Sequence, residues 1–177
     1  MDCAQTIRAR RSIRKFKPGM PVPRADVEAM LEAAMMAPSA CNLRPWEFFV
    51  VESPELKAEL RAAHPFSSML ETASLAIVVC GRPEDQAGKC QEYWPLDCGA
   101  AIENLLLQAA ALGYGACWCG CWPREERAED VRKVLGAQSV PVALIAVGVP
   151  GEAPPAQGFY DPARVTWLRG EGGPARG

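Results

Sequence analysis

Arg10, Ser12 and Arg14 occupy alternate positions in the segment RRSIRKF, residues 10–16. If that segment is extended, the three side chains share one face. Two guanidinium forks beside a hydroxyl match the oxygens of a phosphate, because each fork can donate two parallel hydrogen bonds. The run is wider than these three. From Cys3 to Arg24 there are seven basic residues and no acid, namely Arg8, Arg10, Arg11, Arg14, Lys15, Lys17 and Arg24. Such a patch attracts an anion. It reads equally as a solvated basic turn.

A second segment, PSACNLRPW at 38–46, sets serine and asparagine between two prolines, just before an apolar run. An asparagine carboxamide offers a donor and an acceptor side by side. It suits an edge of alternating carbonyl and N–H groups, such as the pyrimidine of a flavin. Serine and asparagine are also ordinary turn residues. The third segment, GYGACWCGCWPREER at 113–127, alternates Cys117, Cys119 and Cys121. On a strand the three thiols face one way. Zinc and iron–sulfur sites space nearby cysteines more widely, so one metal fits this pattern poorly. The only histidine, His64, lies near no other candidate in the sequence and reads as surface or structural.

The elements that must carry these segments follow from the apolar pattern. Helices are expected at about 3–10, 24–36, 54–63, 97–112 and from Pro123 to Gly136. Val27, Met30, Leu31, Ala34 and Met35 recur as one face of the second. Asp97 is placed to cap the fourth. That helix is apolar nearly all round, which suits a central helix or one shared with a second subunit. Strands are expected at 46–51, 75–80, 116–121 and 141–149. Residues 65–73 are ambiguous, 82–95 read as loop, and 150–169 form an extended arm. Residues 1–169 make one domain, and 170–177 read as a disordered tail. The alternation of helices and buried strands predicts an α+β or α/β sandwich.

Composition narrows the function. The 177 residues are 49% hydrophobic and 23% charged, as in soluble globular chains, with net charge −2. No apolar run reaches the roughly 20 residues of a membrane helix. The N-terminus lacks the apolar core of a secretory signal, so a cytoplasmic protein with reduced thiols is expected. Cys80 and Cys98 then read as small buried hydrophobes. The overall charge gives no pull toward nucleic acid. Dinucleotide fingerprint, phosphate loop, nucleophile elbow and zinc-protease motif are all missing from the sequence. If the chain is an enzyme, a cofactor carries its chemistry.

Taken together, the chain resembles the nitroreductase family of FMN-dependent oxidoreductases, in particular its short members. The resemblance spans about residues 5–169. It rests on RRSIRKFKP near the N-terminus, APSACNLRPWEFFVV at 37–51, DCGAAIENLLLQAAALGYGACWCGCWPREER at 97–127 and FYDPARVTW at 159–167, in that order. It implies an α+β fold with a mostly antiparallel sheet flanked by helices. It also implies a homodimer that exchanges C-terminal arms and binds FMN at the interface. Arg10, Arg11 and Ser12 would contact phosphate and ribityl groups. Arg14 would be the cation beside N1 and O2 of the flavin. Pro38, Ser39, Ala40 and Asn42 would form a loop from the partner, with Asn42 on the pyrimidine edge. Trp118, Cys119 and Gly120 would lie beside N5, and Arg164 would close over the phosphate.

The implied reaction is ping-pong. NAD(P)H, the co-substrate, gives hydride to FMN, and a nitroaromatic, quinone or similar small acceptor then takes the electrons. A fixed cation at N1/O2 stabilises the charge that arrives with hydride. No catalytic side chain and no metal is required. Tyr93 and Trp94 are placed to shape an acceptor pocket. Two positions depart from the family: Arg44 stands where glutamine is common, and Cys117, Cys119 and Cys121 stand where small or aliphatic residues are usual. Two alternatives remain open at this point. One is a flavin-binding protein without NAD(P)H turnover. The other is a metal or iron–sulfur protein using the cysteines between 80 and 121.

Overall fold

The computed structural model describes residues 1–155 and 158–168. The expected tail at 170–177 lies outside them. Four strands form one sheet: β1 (Trp46–Val51), β2 (Leu75–Gly81), β3 (Gly115–Gly120) and β4 (Val140–Gly148). Their order is β1-β2-β4-β3, and every neighbouring pair is antiparallel. Five helices flank it: α1 (Cys3–Ala9), α2 (Arg24–Met35), α3 (Pro54–Ala63), α4 (Trp94–Ala111) and α5 (Glu125–Leu135). This is the α+β architecture with an antiparallel sheet.

Strand periodicity sorts the core into two layers, since alternate side chains take opposite faces. Ile77, Val79, Ala143, Ile145 and Val147 face α2 and α4. Ala76, Val78, Cys80, Leu144 and Ala146 pack with Leu60 of α3 and Val131 of α5. Both central strands are covered on both sides, which is why LAIVVC and PVALIAVGV read as unbroken apolar runs. In α2, Val27, Met30 and Ala34 are buried and Leu31 is partly so, while Met35 at the expected face is half exposed.

The fourth helix corrects the sequence reading in one respect. Asp97 does not cap it. The helix begins three residues earlier, at Trp94, with Pro95 in its first turn. The reason is packing. Trp94 is buried against Trp122 at 5.0 Å between ring centroids, and its ring lies on Gly81, where an added Cβ would come within 2.1 Å. Only glycine lets β2 end there. Trp94 is therefore a core residue, whereas Tyr93 is exposed. The preceding stretch, expected as loop, contains two 3₁₀ turns, Pro83–Gln86 and Gln91–Tyr93. The ambiguous 65–73 stretch contains another, Ser68–Glu71.

Beyond β4 the described residues form no helix or strand apart from a 3₁₀ turn at Pro162–Arg164. Phe159, Tyr160 and Leu168 are largely exposed on it. Among the described residues no helix is long and apolar enough to cross a membrane.

Candidate functional site

The arginine run leaves α1 and lies along the outer edge of β3. Ser12 bridges Ala116 in parallel, and the Ile13 N–H donates to the Ala116 carbonyl at 3.0 Å. Ile13 and Phe16 anchor the run from below. Gly115 makes the approach feasible: a Cβ there would meet Ile13 at 2.8 Å. Glu152 fastens the run from the other side, accepting from the N–H groups of Arg14 at 2.6 Å and Lys15 at 3.1 Å.

This leaves the cations differently placed. Arg10 pairs with Glu103 of α4 at 3.3 Å. Arg11 donates from Nε to the Pro155 carbonyl at 3.1 Å and from Nη1 to the Arg10 carbonyl. Among the described residues no carboxylate forms an ion pair with Arg14, whose side chain is exposed. Arg10, Arg11, Ile13, Leu106, Ala116 and Pro154 line a cleft of about 220 Å³. The larger cavity, about 610 Å³ between α3 and α5, holds none of the residues expected at the site and has mixed charge.

At the far end of β3, Trp118 points to the α4 side and is half exposed, its indole edge 3.9 Å from where a Gly99 Cβ would stand. Cys117 and Cys119 point to the opposite layer and are buried with Cys121, all three on one side as expected. Cys119 Sγ donates toward the Phe66 carbonyl at 3.4 Å and has the Met69 sulfur at 3.8 Å. Hydrogen bonding from Cys119, helped by the charge of Arg14, pulls Cys117 down to about 7 against the cost of burial. The same contact, together with burial, holds Cys119 far above the ordinary thiol range. Burial above all, with nearby acidic groups adding to it at Cys80 and Cys98, pushes Cys80, Cys98 and Cys121 up to about 12. These are inert core thiols, and Cys80 and Cys98 are fully buried as expected. Among the described residues no group of three or more His, Cys, Asp or Glu side chains is arranged to hold a metal.

Gly120 has partners that sequence reasoning missed. Of the two readings of His64 the structural one holds: it is buried, and its Nε2 donates to the Gly120 carbonyl at 3.0 Å. Its Nδ1 accepts from the Phe66 N–H at 3.3 Å, which fixes the neutral tautomer with the proton on Nε2. Arg127 donates to the same carbonyl at 2.9 Å and lies over the Phe66 ring. No local signal ties His64 to Gly120, 56 positions away.

The loop 38–42 is fastened elsewhere, to the start of α4. The Ala40 N–H points at both carboxylate oxygens of Asp97, 3.1 Å from each. Ser39 Oγ accepts from the Arg44 N–H at 2.9 Å, and Asn42 Oδ1 accepts from Arg44 Nε at 3.2 Å. Cys41, Asn42 and Arg44 all have positive φ, 52°, 54° and 52°. Non-glycine residues take that left-handed region only where their surroundings impose it, and such residues gather at functional sites. Asp97 and Glu103 are six residues apart on α4, about 9 Å along its axis. One chain therefore gathers the arginines and the loop at different places on the same helix. Arg164 is not brought to the cleft: it is exposed and pairs with Asp161 at 3.2 Å.

A four-stranded antiparallel α+β sandwich with a basic segment along one edge strand defines the structural class. Comparisons with known proteins then fix its place. The nitroreductase family model matches residues 7–65 and 62–149. A Methanothermobacter thermautotrophicus protein, provisionally named NADH dehydrogenase/NAD(P)H nitroreductase, is 37% identical over 93% of this chain and 86% of its own length. A crystal structure from Bacteroides thetaiotaomicron with the same provisional name has a TM-score of 0.86 at 35% identity, covering 93% of this chain and 95% of that one. A Clostridium difficile FMN-dependent nitroreductase has a TM-score of 0.83 at 28% identity, covering 93% and 98%. The chain belongs to the nitroreductase family and is an NAD(P)H nitroreductase-like flavin oxidoreductase.

Proposed function

We propose that the chain binds FMN and passes electrons from NAD(P)H to a small acceptor of the nitroaromatic or quinone type, by alternating donor and acceptor at one site. The observation that carries this reading is the arginine run bonded along β3, with the Arg14 side chain exposed and, among the described residues, in no ion pair, on the strand that ends in Trp118–Gly120. FMN, when bound, would supply the two-electron carrier that none of these side chains can provide.

The residues present fit that group. Arg10, Arg11 and Ser12 offer guanidinium and hydroxyl donors for a phosphate and its ribityl chain. Arg14 offers a fixed positive charge for the ring portion that becomes negative on reduction. With its oxygen engaged by Arg44, the Asn42 carboxamide turns its NH₂ outward as a donor to a carbonyl. Pro38, Ser39 and Ala40 set that carboxamide's place, and the backbone of Trp118, Cys119 and Gly120 offers the surface for the reactive edge. Arg164 would add a last cation from the arm.

The reading includes a homodimer. The cleft of about 220 Å³ is smaller than the roughly 300–1,000 Å³ usual for cofactor sites. The loop is tied at Asp97 and Arg10 at Glu103, about 9 Å apart along α4, so a second chain would bring its loop to the first chain's cations. Met36, Leu96, Phe159, Tyr160 and Leu168 are exposed apolar surface that such a partner would cover.

The test is the visible spectrum of the purified protein, then anaerobic addition of NADH and of NADPH. Two resolved flavin bands that bleach with either nucleotide are expected. Flavin bands that stay unbleached would leave a binding protein without NAD(P)H turnover. Absence of the bands after adding FMN would overturn the reading.

A further inference from the structure

Among the described residues Asp97 is the one buried carboxylate, and the reading above gives it no task. It receives the Ala40 N–H on both oxygens at 3.1 Å, and Gln86 Nε2 on Oδ2 at 2.6 Å. Among the described residues no cation forms an ion pair with it, and it is only 7% exposed. A carboxylate taken out of water without a counter-charge is costly unless donors satisfy it. Here the donors come from two separate segments, the loop 38–42 and the turn Pro83–Gln86. Gln86 is fully buried and its Oε1 has no partner. Turning its amide over would set oxygen against oxygen, so its NH₂ is committed to Asp97.

The loop that Asp97 holds is the strained one. Left-handed backbone at Cys41 and Asn42 follows directly after Ala40. Ser39 and Arg44 close the loop on itself, but Asp97 ties it to the body of the fold through Ala40. Releasing that tie frees the two residues that present the Asn42 carboxamide.

We propose that Asp97 is a positioning residue for the flavin: it fixes the Asn42 loop through the Ala40 N–H, so a buried carboxylate that never touches FMN sets how tightly FMN is held. This rests on the reading that the loop contacts FMN.

The experiment measures the FMN dissociation constant of D97N, A40P, their double mutant and N42A, each as the intact protein. D97N keeps the shape and removes the charge. A40P removes the N–H and sets the ring Cδ in its place, facing Asp97, so the tie cannot form. Proline is tolerated at the first position of a helical turn, and Ser39 before it is already extended at φ −142° and ψ 152°. D97N and A40P should each weaken FMN about tenfold or more, as expected for a lost hydrogen bond to a charged group. The double mutant should be little worse than either single one, because both break one link. The visible circular dichroism of the bound flavin should change in the same variants.

Wild-type affinity in both D97N and A40P, with N42A weakened, would overturn the positioning role alone. An unchanged N42A would show that the loop does not meet FMN and would remove the underlying reading as well. A lower melting temperature of apo D97N with unchanged FMN affinity would mark Asp97 as structural only and overturn the proposal. If D97N does not fold, A40P decides the matter by the same readings.

Discussion

His64 Nε2 donates to the carbonyl oxygen of Gly120 across 3.0 Å, from beneath the end of β3. The ring is buried and desolvation lowers its pKa below the ordinary 6.5, so the neutral form is the one that folds. Folding therefore excludes a proton that the unfolded chain takes up below about pH 6.5. Stability contributed by His64 is complete above that pH. It is lost as the pH falls toward the depressed folded value.

Urea unfolding checks this. The wild-type protein should be less stable at pH 5.5 than at pH 7.5, and H64Q should lose less over the same interval. H64A should cost about 1–3 kcal/mol at pH 7.5, since the Gly120 carbonyl and the Phe66 N–H each lose a partner. Equal pH sensitivity in wild type and H64Q would show that other groups carry the effect.

Gly115 governs how closely the arginine run approaches the sheet. An added Cβ would press on the side chain of Ile13 at 2.8 Å, and Ile13 is locked by its bond to Ala116. G115A should push the run outward, costing about 1–3 kcal/mol by overpacking. FMN affinity should fall in the same variant although no cation is altered. Calorimetry and a flavin titration measure the two effects. Unaltered stability and affinity would show that the run yields freely.

Cys117 and Cys119 lie on the same face of β3 and are shifted in opposite directions. Because Cys117 gives up its proton near about 7 rather than at the ordinary 9, the unfolded chain binds more protons between those values. Stability from this pair should rise with pH across that interval. In C119A the Cys117 thiolate should form only at higher pH, since the hydrogen bond that lowers it is gone. Thiolate absorbance near 240 nm, titrated in C119A that also carries C117S as a control, measures the change. A titration in C119A that still centres near 7 would assign the effect to Arg14 instead.

The arm should matter to assembly. Phe159, Tyr160 and Leu168 are 85%, 71% and 81% exposed in the single chain. Serine at Phe159 and Leu168 together should shift the protein toward monomer at micromolar concentration and release FMN on dilution. Sedimentation velocity follows the first and fluorescence of free flavin the second. A dimer as stable as wild type would place the interface elsewhere.

The strands were legible because β2 and β4 are buried on both faces and spell unbroken apolar runs between turn residues. The start of α4 was not, because Asp97 has the type and position of a cap while its carboxylate is spent on Ala40 and Gln86. What moves the boundary is Trp94 settling on Gly81, a contact 13 residues apart that no local pattern announces. The arginine run was legible because alternation in an extended segment follows from the pleat, and Ser12 does pair with β3. The buried His64 was not, since its partner is a backbone carbonyl, which leaves no mark in residue type. The left-handed residues of the loop also escape notice. Cysteine, asparagine and arginine carry no glycine-like signature, and the ties that hold them come from α4 and from Ser39.

β3 is one of the sheet's two edge strands, and the arginine run lies along the first part of its free edge. Bare edges invite strands from other molecules, and charged cover is one way proteins prevent this. The segment read as a phosphate holder thus also acts as a gatekeeper against sheet-to-sheet aggregation. Its positive charges repel a second copy of themselves, so two molecules cannot join edge to edge at β3 without bringing like charges together. Solubility and ligand recognition would then be served by the same few residues.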